Sequence, residues 1–430
     1  TGDKYPNYTC LSNPGGLGSQ VASGDFNGDG IGDLAAGLDG ASPGNFRRMR
    51  VYLGKSKAAI STAHALEVTN VYSSQGNGVF KLNAVGNFNG DLNAGKPVTD
   101  IAVTSRNGLL AYDRVVVIPG NTAWSTTAPT TLDLDNVSQR ISNNVATIRL
   151  VDSSGSPIFG AYLRGVGNLL ADSGAVQYDD LYIAQAATPQ SFHLVKGRPL
   201  ASKGGSQEIE ILLSTTGTNP AALNDKEAVH VVGSGNVGLN AFGLYADVLN
   251  IDGDALPDLV VQHANASTLG GGLYWLQGSW LAGKLGQATS VVTETAVSGT
   301  ENLFKVEGGY RLREYHWAPQ SLGNFADRQG SGGPFIDVVH GRTAAAPDGA
   351  NNRVIVRLAL TRAKSAIPNM NSLEYADIAI YEPSAAKPGF GVTTTSVLGP
   401  VSFAPLGDFN GDGRPDLVVG SLDSSLIVVY

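Results

Sequence analysis

Short apolar stretches recur along the chain, each only a few residues long and bounded by glycine, asparagine and aspartate, and no window carries a sustained helical stripe of apolar positions. Runs such as Leu34-Ala35-Ala36-Gly37, Val115-Val116-Val117-Ile118 and Leu417-Val418-Val419-Gly420 fit strands buried on one or both faces. Between paired runs lies a compact polar turn, so the repeating element is strand, turn, strand. Six such hairpins are expected, at Gly24–Gly37, Ala84–Val103, Gly165–Ala184, Asn250–Val261, Leu322–Val339 and the segment around Asp408. Each is followed by a strand ending near glycine and, where the chain continues, by a further strand.

The turns carry the chemistry. Asp25-Phe26-Asn27-Gly28-Asp29-Gly30-Ile31-Gly32-Asp33 and Asp408-Phe409-Asn410-Gly411-Asp412-Gly413-Arg414-Pro415-Asp416 place oxygen side chains at positions one, three, five and nine, with glycine at four and six. Alternate residues of a tight turn point inward, the carbonyl at position seven (Ile31, Arg414) adds a ligand, and glycine supplies backbone angles other residues resist. Oxygen-only ligands on a flexible loop suit Ca2+ better than zinc or magnesium. An EF-hand would carry Glu at position twelve between helices, but Ala36 and Val419 stand there and strands flank the loops.

The other hairpins vary this pattern. Asn250, Asp252, Asp254 and Asp258, with the Leu256 carbonyl, form a third full ligand set, although Ala255 replaces glycine. Asn87, Asn89, Asp91 and the Asn93 carbonyl form another, whose closing Asp100 is displaced by an insertion. Amides replacing carboxylates and a longer closure predict weaker binding there. At Asn168, Leu170 at the third position breaks the pattern and predicts a hairpin without metal. Ala326 does the same in the fifth unit.

Four antiparallel strands repeated radially make a β-propeller blade. The fold expected is therefore all-β: residues 1–430 as a single propeller of four-stranded blades, six by motif count. Seven is the alternative, with the extra blade between Val354–Leu360 and Asp377–Tyr381. The last unit stops after its third strand, and Lys4–Leu11 is placed to supply the missing fourth and remove an open edge.

Gly-Asp-Phe-Asn-Gly-Asp-Gly-x-x-Asp-Leu resembles the FG-GAP (VCBS-type) repeat of integrin α-subunit propellers and of many secreted microbial proteins. The resemblance implies a propeller, usually of seven blades, with calcium in the turns and with glycans or proteins recognised away from them. It also leaves room for an enzyme, since related propellers carry lyase or dehydratase activity, and for a structural subunit of a surface assembly.

Composition narrows the field. A net charge of −8 and the absence of a basic run oppose a nucleic-acid surface, and no apolar run is long enough to span a membrane. The lone Cys10 rules out an internal disulfide framework and cysteine zinc sites. The chain starts at Thr1, as a secreted protein does after signal removal, and so does a trimmed one. Turns of modest affinity fill where calcium is plentiful, so a secreted or cell-surface location is expected. Trp124 and Trp280, in loop-like surroundings, are the candidates for stacking on a sugar ring. The expectation is a calcium-stabilised binding module, adhesin or lectin-like, whose partner is a glycan or an extracellular protein.

Overall fold

The hairpins form where the turns predict them. In a computed structural model of the chain, each described turn reverses the backbone through a left-handed residue at its fourth position: Gly28 (φ 71°), Gly90 (φ 79°), Ala171 (φ 51°) and Gly411 (φ 80°). Glycine occupies this region without steric penalty, whereas alanine is strained there.

The structure describes residues 17–38, 48–56, 62–71, 81–106, 113–150, 159–172, 174, 176–185, 191–200, 207–213, 227–234, 242–243, 246–250, 256–263, 271–286, 290–293, 303–308, 320–323, 337–342, 353–357, 378–380, 401–407, 411, 414, 416–421 and 426–429. The chain forms two compact units, residues 1–187, 192–230 and 284–290 in one, and 188–191, 231–283 and 291–430 in the other. The proposed closing segment Lys4–Leu11 lies outside the described residues.

Two sheets of the first unit each have four antiparallel strands in sequence order. The first contains Leu17–Gly24, Asp33–Leu38, Arg48–Tyr52 and Leu66–Thr69. The second contains Leu82–Gly86, Asp100–Arg106, Asp113–Ile118 and Ala146–Leu150. A third sheet follows with Phe159–Gly165, Leu181–Gln185 and Ser191–Val195.

A fifth strand modifies the four-stranded expectation. Thr130–Asp133 pairs in parallel with Leu66–Thr69, and Ile209–Leu213 pairs in parallel with Ala146–Leu150. Each lies in the connection between the third strand of one sheet and the next strand along the chain, and covers the outer edge of the sheet before it. That covering removes an open edge. Arg140, in the short helix Val137–Ser142, reaches Glu208 across this join at 2.7 Å.

Why the strands read as continuous apolar runs is now plain, because their two faces feed two different cores. Ile101, Val103, Val116 and Ile118 pack with Phe26, Met49, Val51 and Val68. Their neighbours Ala102, Val115 and Val117 pack with Phe88, Ile148, Leu163 and Ile183. The period-two alternation thus separates two buried faces rather than a wet face from a dry one.

The step from the first sheet to the second repeats from the second to the third. Thr99 N donates to Asp25 O at 2.9 Å and Asn121 N to Phe26 O at 2.9 Å; Asp179 N donates to Asn87 O at 3.0 Å and Arg198 N to Phe88 O at 2.7 Å. Side chains of the same residues complete the lock: Asp25 N donates to Thr99 Oγ1 (3.2 Å) and Asn87 N to Asp179 Oδ2 (2.6 Å). Phe26 and Phe88, at the second position of their turns, are wholly buried in the cores this step creates.

In the second unit, one sheet contains Ala246–Leu249, Asp258–His263, Gly271–Leu276 and Leu303–Gly308. Another contains Gln320–Gly323, Asp337–Arg342, Arg353–Arg357 and Ile378–Ile380, and a third Val401–Gly407, Asp416–Ser421 and Leu426–Val429. The two runs that suggested a seventh blade are neighbours in one sheet, Val354 facing Ile380.

Candidate metal centres

A buried aspartate at the end of each turn organises what surrounds it. Asp33, Asp100, Asp180 and Asp258 are at most 3% exposed; Asp33, Asp100 and Asp258 begin the second strand of their hairpins, and Asp180 stands immediately before Leu181–Gln185. One oxygen accepts the backbone N–H of a glycine that follows the third strand: Gly54 (2.8 Å), Gly120 (2.9 Å), Gly197 (2.9 Å) and Gly278 (2.8 Å). In three of them the other oxygen accepts an N–H of the turn itself: Phe26 to Asp33 (2.9 Å), Asn89 to Asp100 (3.0 Å) and Leu170 to Asp180 (2.7 Å). The carboxylate is therefore a clasp between turn and strand end, whatever else it binds.

The glycine partner is dictated by close approach. A Cβ would stand 2.1 Å from Gly32 O at Gly54, 2.5 Å from Thr99 O at Gly120, 2.4 Å from Asp179 O at Gly197 and 2.1 Å from Pro257 O at Gly278. These neighbours are backbone and cannot swing aside. Gly278→Ala is expected to cost about 1–3 kcal/mol, the usual range for overpacking, visible as a lower denaturation midpoint.

Burial pushes these carboxyls up, Asp33 to about 6, Asp180 to about 7 and Asp100 to about 8, against the opposing pull of the amides they accept. Between the ~3.9 of an unfolded aspartate and these values, the folded chain holds more protons than the unfolded one, so stability falls as pH rises through that window. Calcium-free protein is therefore expected to melt higher at pH 5 than at pH 8. A melt that is flat or rises with pH contradicts this.

The first turn is satisfied internally. Asp25 accepts from Asp29 N (3.0 Å) and Gly30 N (2.7 Å), Asn27 Oδ1 from Asp29 N (3.1 Å), and Asp29 Oδ1 from Ile31 N (2.7 Å). The carbonyls of this turn also receive Asn93, whose Nδ2 donates to Gly28 O at 2.9 Å. Asn93 thus reaches across to the neighbouring turn.

In the second turn the oxygens are left over. Asn89 Oδ1 accepts Asp91 N (2.8 Å) and Asn87 Nδ2 donates to Asp91 O (2.9 Å), but Asn87 Oδ1 and Asp91 Oδ1 are buried with no hydrogen-bond partner among the described residues. Leaving such acceptors unmatched is costly, and a hard cation matches them. Burial also raises the Asp91 carboxyl, and Asp91 in turn pushes Asp100 up. Two carboxylates and two amides within one turn fit calcium by donor type. The turn that the sequence ranks as weaker is thus one that leaves buried oxygens unmatched among the described residues.

Elsewhere the ligand sets are partly described. Asn250 and Leu256 are half-buried beside the buried Asp258; Arg414 is exposed and Asp416 buried. Asp252, Asp254, Asp408, Asn410 and Asp412 lie outside the described residues. No group of three or more His, Cys, Asp or Glu is gathered for a metal among the described residues.

Beside the second turn lies a cavity of about 520 Å³, lined among others by Asn89, Asp91, Asn121, Thr122, Asn144 and Leu200. Trp124 also borders it, but at 7% exposure its ring is spent on the core with Phe26 and Ile118. A face so covered cannot stack on a sugar, and the turn that looked like a loop in sequence is packed. Trp280 is half-buried in the short helix Gly278–Ala282. The rings of His193 and His230 stack 4.1 Å apart in the first unit.

A family model described as FG-GAP repeat matches residues 400–425, the hairpin of the last sheet and its turn. No curated protein matches the chain.

Proposed function

We propose, starting from the FG-GAP repeat at residues 400–425, that the chain is a calcium-stabilised β-propeller acting outside the cytoplasm as a binding module for glycan or protein. The observation that carries the calcium part is the pair of buried, unmatched oxygens on Asn87 and Asp91. The propeller part draws on the recurring step between successive sheets of the first unit and on the antiparallel sheets of the second.

The cavity beside the second turn is where a ligand belongs in the first unit. Among the described residues its lining combines amides and hydroxyls with apolar side chains and one carboxylate, and no Lys or Arg. Such a wall suits a neutral, polyhydroxylated ligand better than an anionic one. On this reading recognition lies next to a turn, whereas the family resemblance implies a surface away from the turns.

A glycan array probed in calcium and again in EDTA tests the reading. Binding in calcium that is lost with Thr122→Ala or with Asn144→Gly, which suits the left-handed backbone at that position (φ 51°), at an unchanged melting temperature, is expected. Array binding that ignores both substitutions removes the cavity from the account, and no binding to any glycan leaves a scaffold.

A further inference from the structure

The third turn, which has lost an oxygen ligand, has a cation of its own. Its first position is Asn168, its third is Leu170, and its fifth is Asp172, so a carboxylate remains with one fewer partner to share an ion. Lys196 reaches in from the end of the third strand. Its Nζ donates to Ala171 O at 3.1 Å and pairs with Asp172 Oδ1 at 3.0 Å, while Asp172 Oδ2 accepts Tyr178 N at 2.7 Å. Asp172 is only 7% exposed at its side chain and Lys196 21%, so this is a largely desolvated pair rather than a surface one.

Position matters as much as distance. Lys196 stands immediately before Gly197, the glycine held by Asp180. The residues in the same place before the other three such glycines are Leu53, Pro119 and Gln277, and none carries a charge. A lysine therefore appears at this place in the unit whose turn has an apolar residue where the first, second and fourth have Asn, Asn and Asp.

We propose that the Lys196 ammonium is the cation of the third turn, a tethered monovalent substitute for a divalent ion, so that this turn holds its shape at any calcium concentration. A tethered charge loses little freedom on docking and needs no free ion, but it brings one positive charge instead of two and three donors instead of a full oxygen shell. Asn168 Oδ1 is buried with no hydrogen-bond partner among the described residues, so removing the ammonium leaves at least one amide and one carboxylate oxygen that a calcium ion can take.

Hydrogen exchange of the folded protein, followed on peptides covering residues 168–180, tests this with Lys196→Met and Lys196→Arg. In EDTA the wild-type third turn is expected to keep its protection. K196M is expected to exchange there at least ~10-fold faster and to regain protection in millimolar calcium, with K196R close to wild type. Should K196M not fold, Asp172→Asn removes the other half of the pair and is expected to give the same local loss. Unchanged protection in the variant that folds overturns the proposal, and so does a loss in K196M that calcium does not repair, which would reduce the contact to an ordinary ion pair. Peptides covering 87–100 in the same samples separate this from the calcium reading: if they ignore EDTA, that reading fails while the role of Lys196 stands.

Discussion

Asp180→Ala is expected to destabilise the chain by about 2–6 kcal/mol, because two backbone N–H groups, those of Leu170 and Gly197, lose their acceptor at once in a site with no exposure, and each such orphan costs ~1–3 kcal/mol. For a chain of this size that corresponds to a melting temperature lower by roughly 2–7 °C. Asp180→Asn keeps one acceptor but turns an NH2 toward the other donor, so it recovers only part of the loss. The third turn is the right place for this test, since Asp180 belongs to the hairpin that the sequence assigns no metal. Denaturant unfolding checks it, and a change below ~1 kcal/mol would mean that water reaches these amides and that the clasp has been overrated.

Much of the architecture was open to reading in the sequence because the turn chemistry is local. Gly28, Gly90 and Gly411 sit where the backbone must be left-handed, and the strands begin and end around them. The aspartate at the start of each second strand, or just before it at Asp180, was visible for the same reason, but its principal partner was not. Gly54, Gly120, Gly197 and Gly278 read as ordinary strand ends, and only the recurring separation of 21, 20, 17 and 20 residues from the aspartate marks them as one device.

Long-range pairing was the part that sequence hid. Thr130–Asp133 finds its neighbour more than sixty residues upstream, at Leu66–Thr69, and nothing in its alternation says so. Trp124 misled for a related reason. It follows a turn and looks exposed, yet it belongs to one core with Leu132 of the fifth strand and with Leu134 just beyond that strand. Lys196 was invisible as a turn component because it stands twenty-four residues beyond its partner Asp172.

Calcium removal has the other large expected effect. An ion that binds only the folded chain stabilises it by ~2.7 kcal/mol per site when free calcium is a hundred times Kd, and less as calcium falls. Stripping the ion is therefore expected to lower the melting temperature by several degrees for each occupied turn, with the second turn contributing through Asn87, Asp91 and Asp100. Substituting Asn87 and Asp91 together by alanine is expected to remove one equivalent of calcium and to reduce the effect of EDTA, because it deletes the two oxygens that the second turn leaves unmatched among the described residues.

The most direct measurement is a calorimetric titration of calcium into metal-free protein, run beside the same titration of the Asn87→Ala/Asp91→Ala variant. Saturable binding in the range of roughly 10⁻⁴–10⁻³ M typical of extracellular modules, with one equivalent fewer in the variant, is the result predicted. No binding heat, together with a melting temperature that EDTA leaves unchanged, would contradict the claim that these turns are built around an ion.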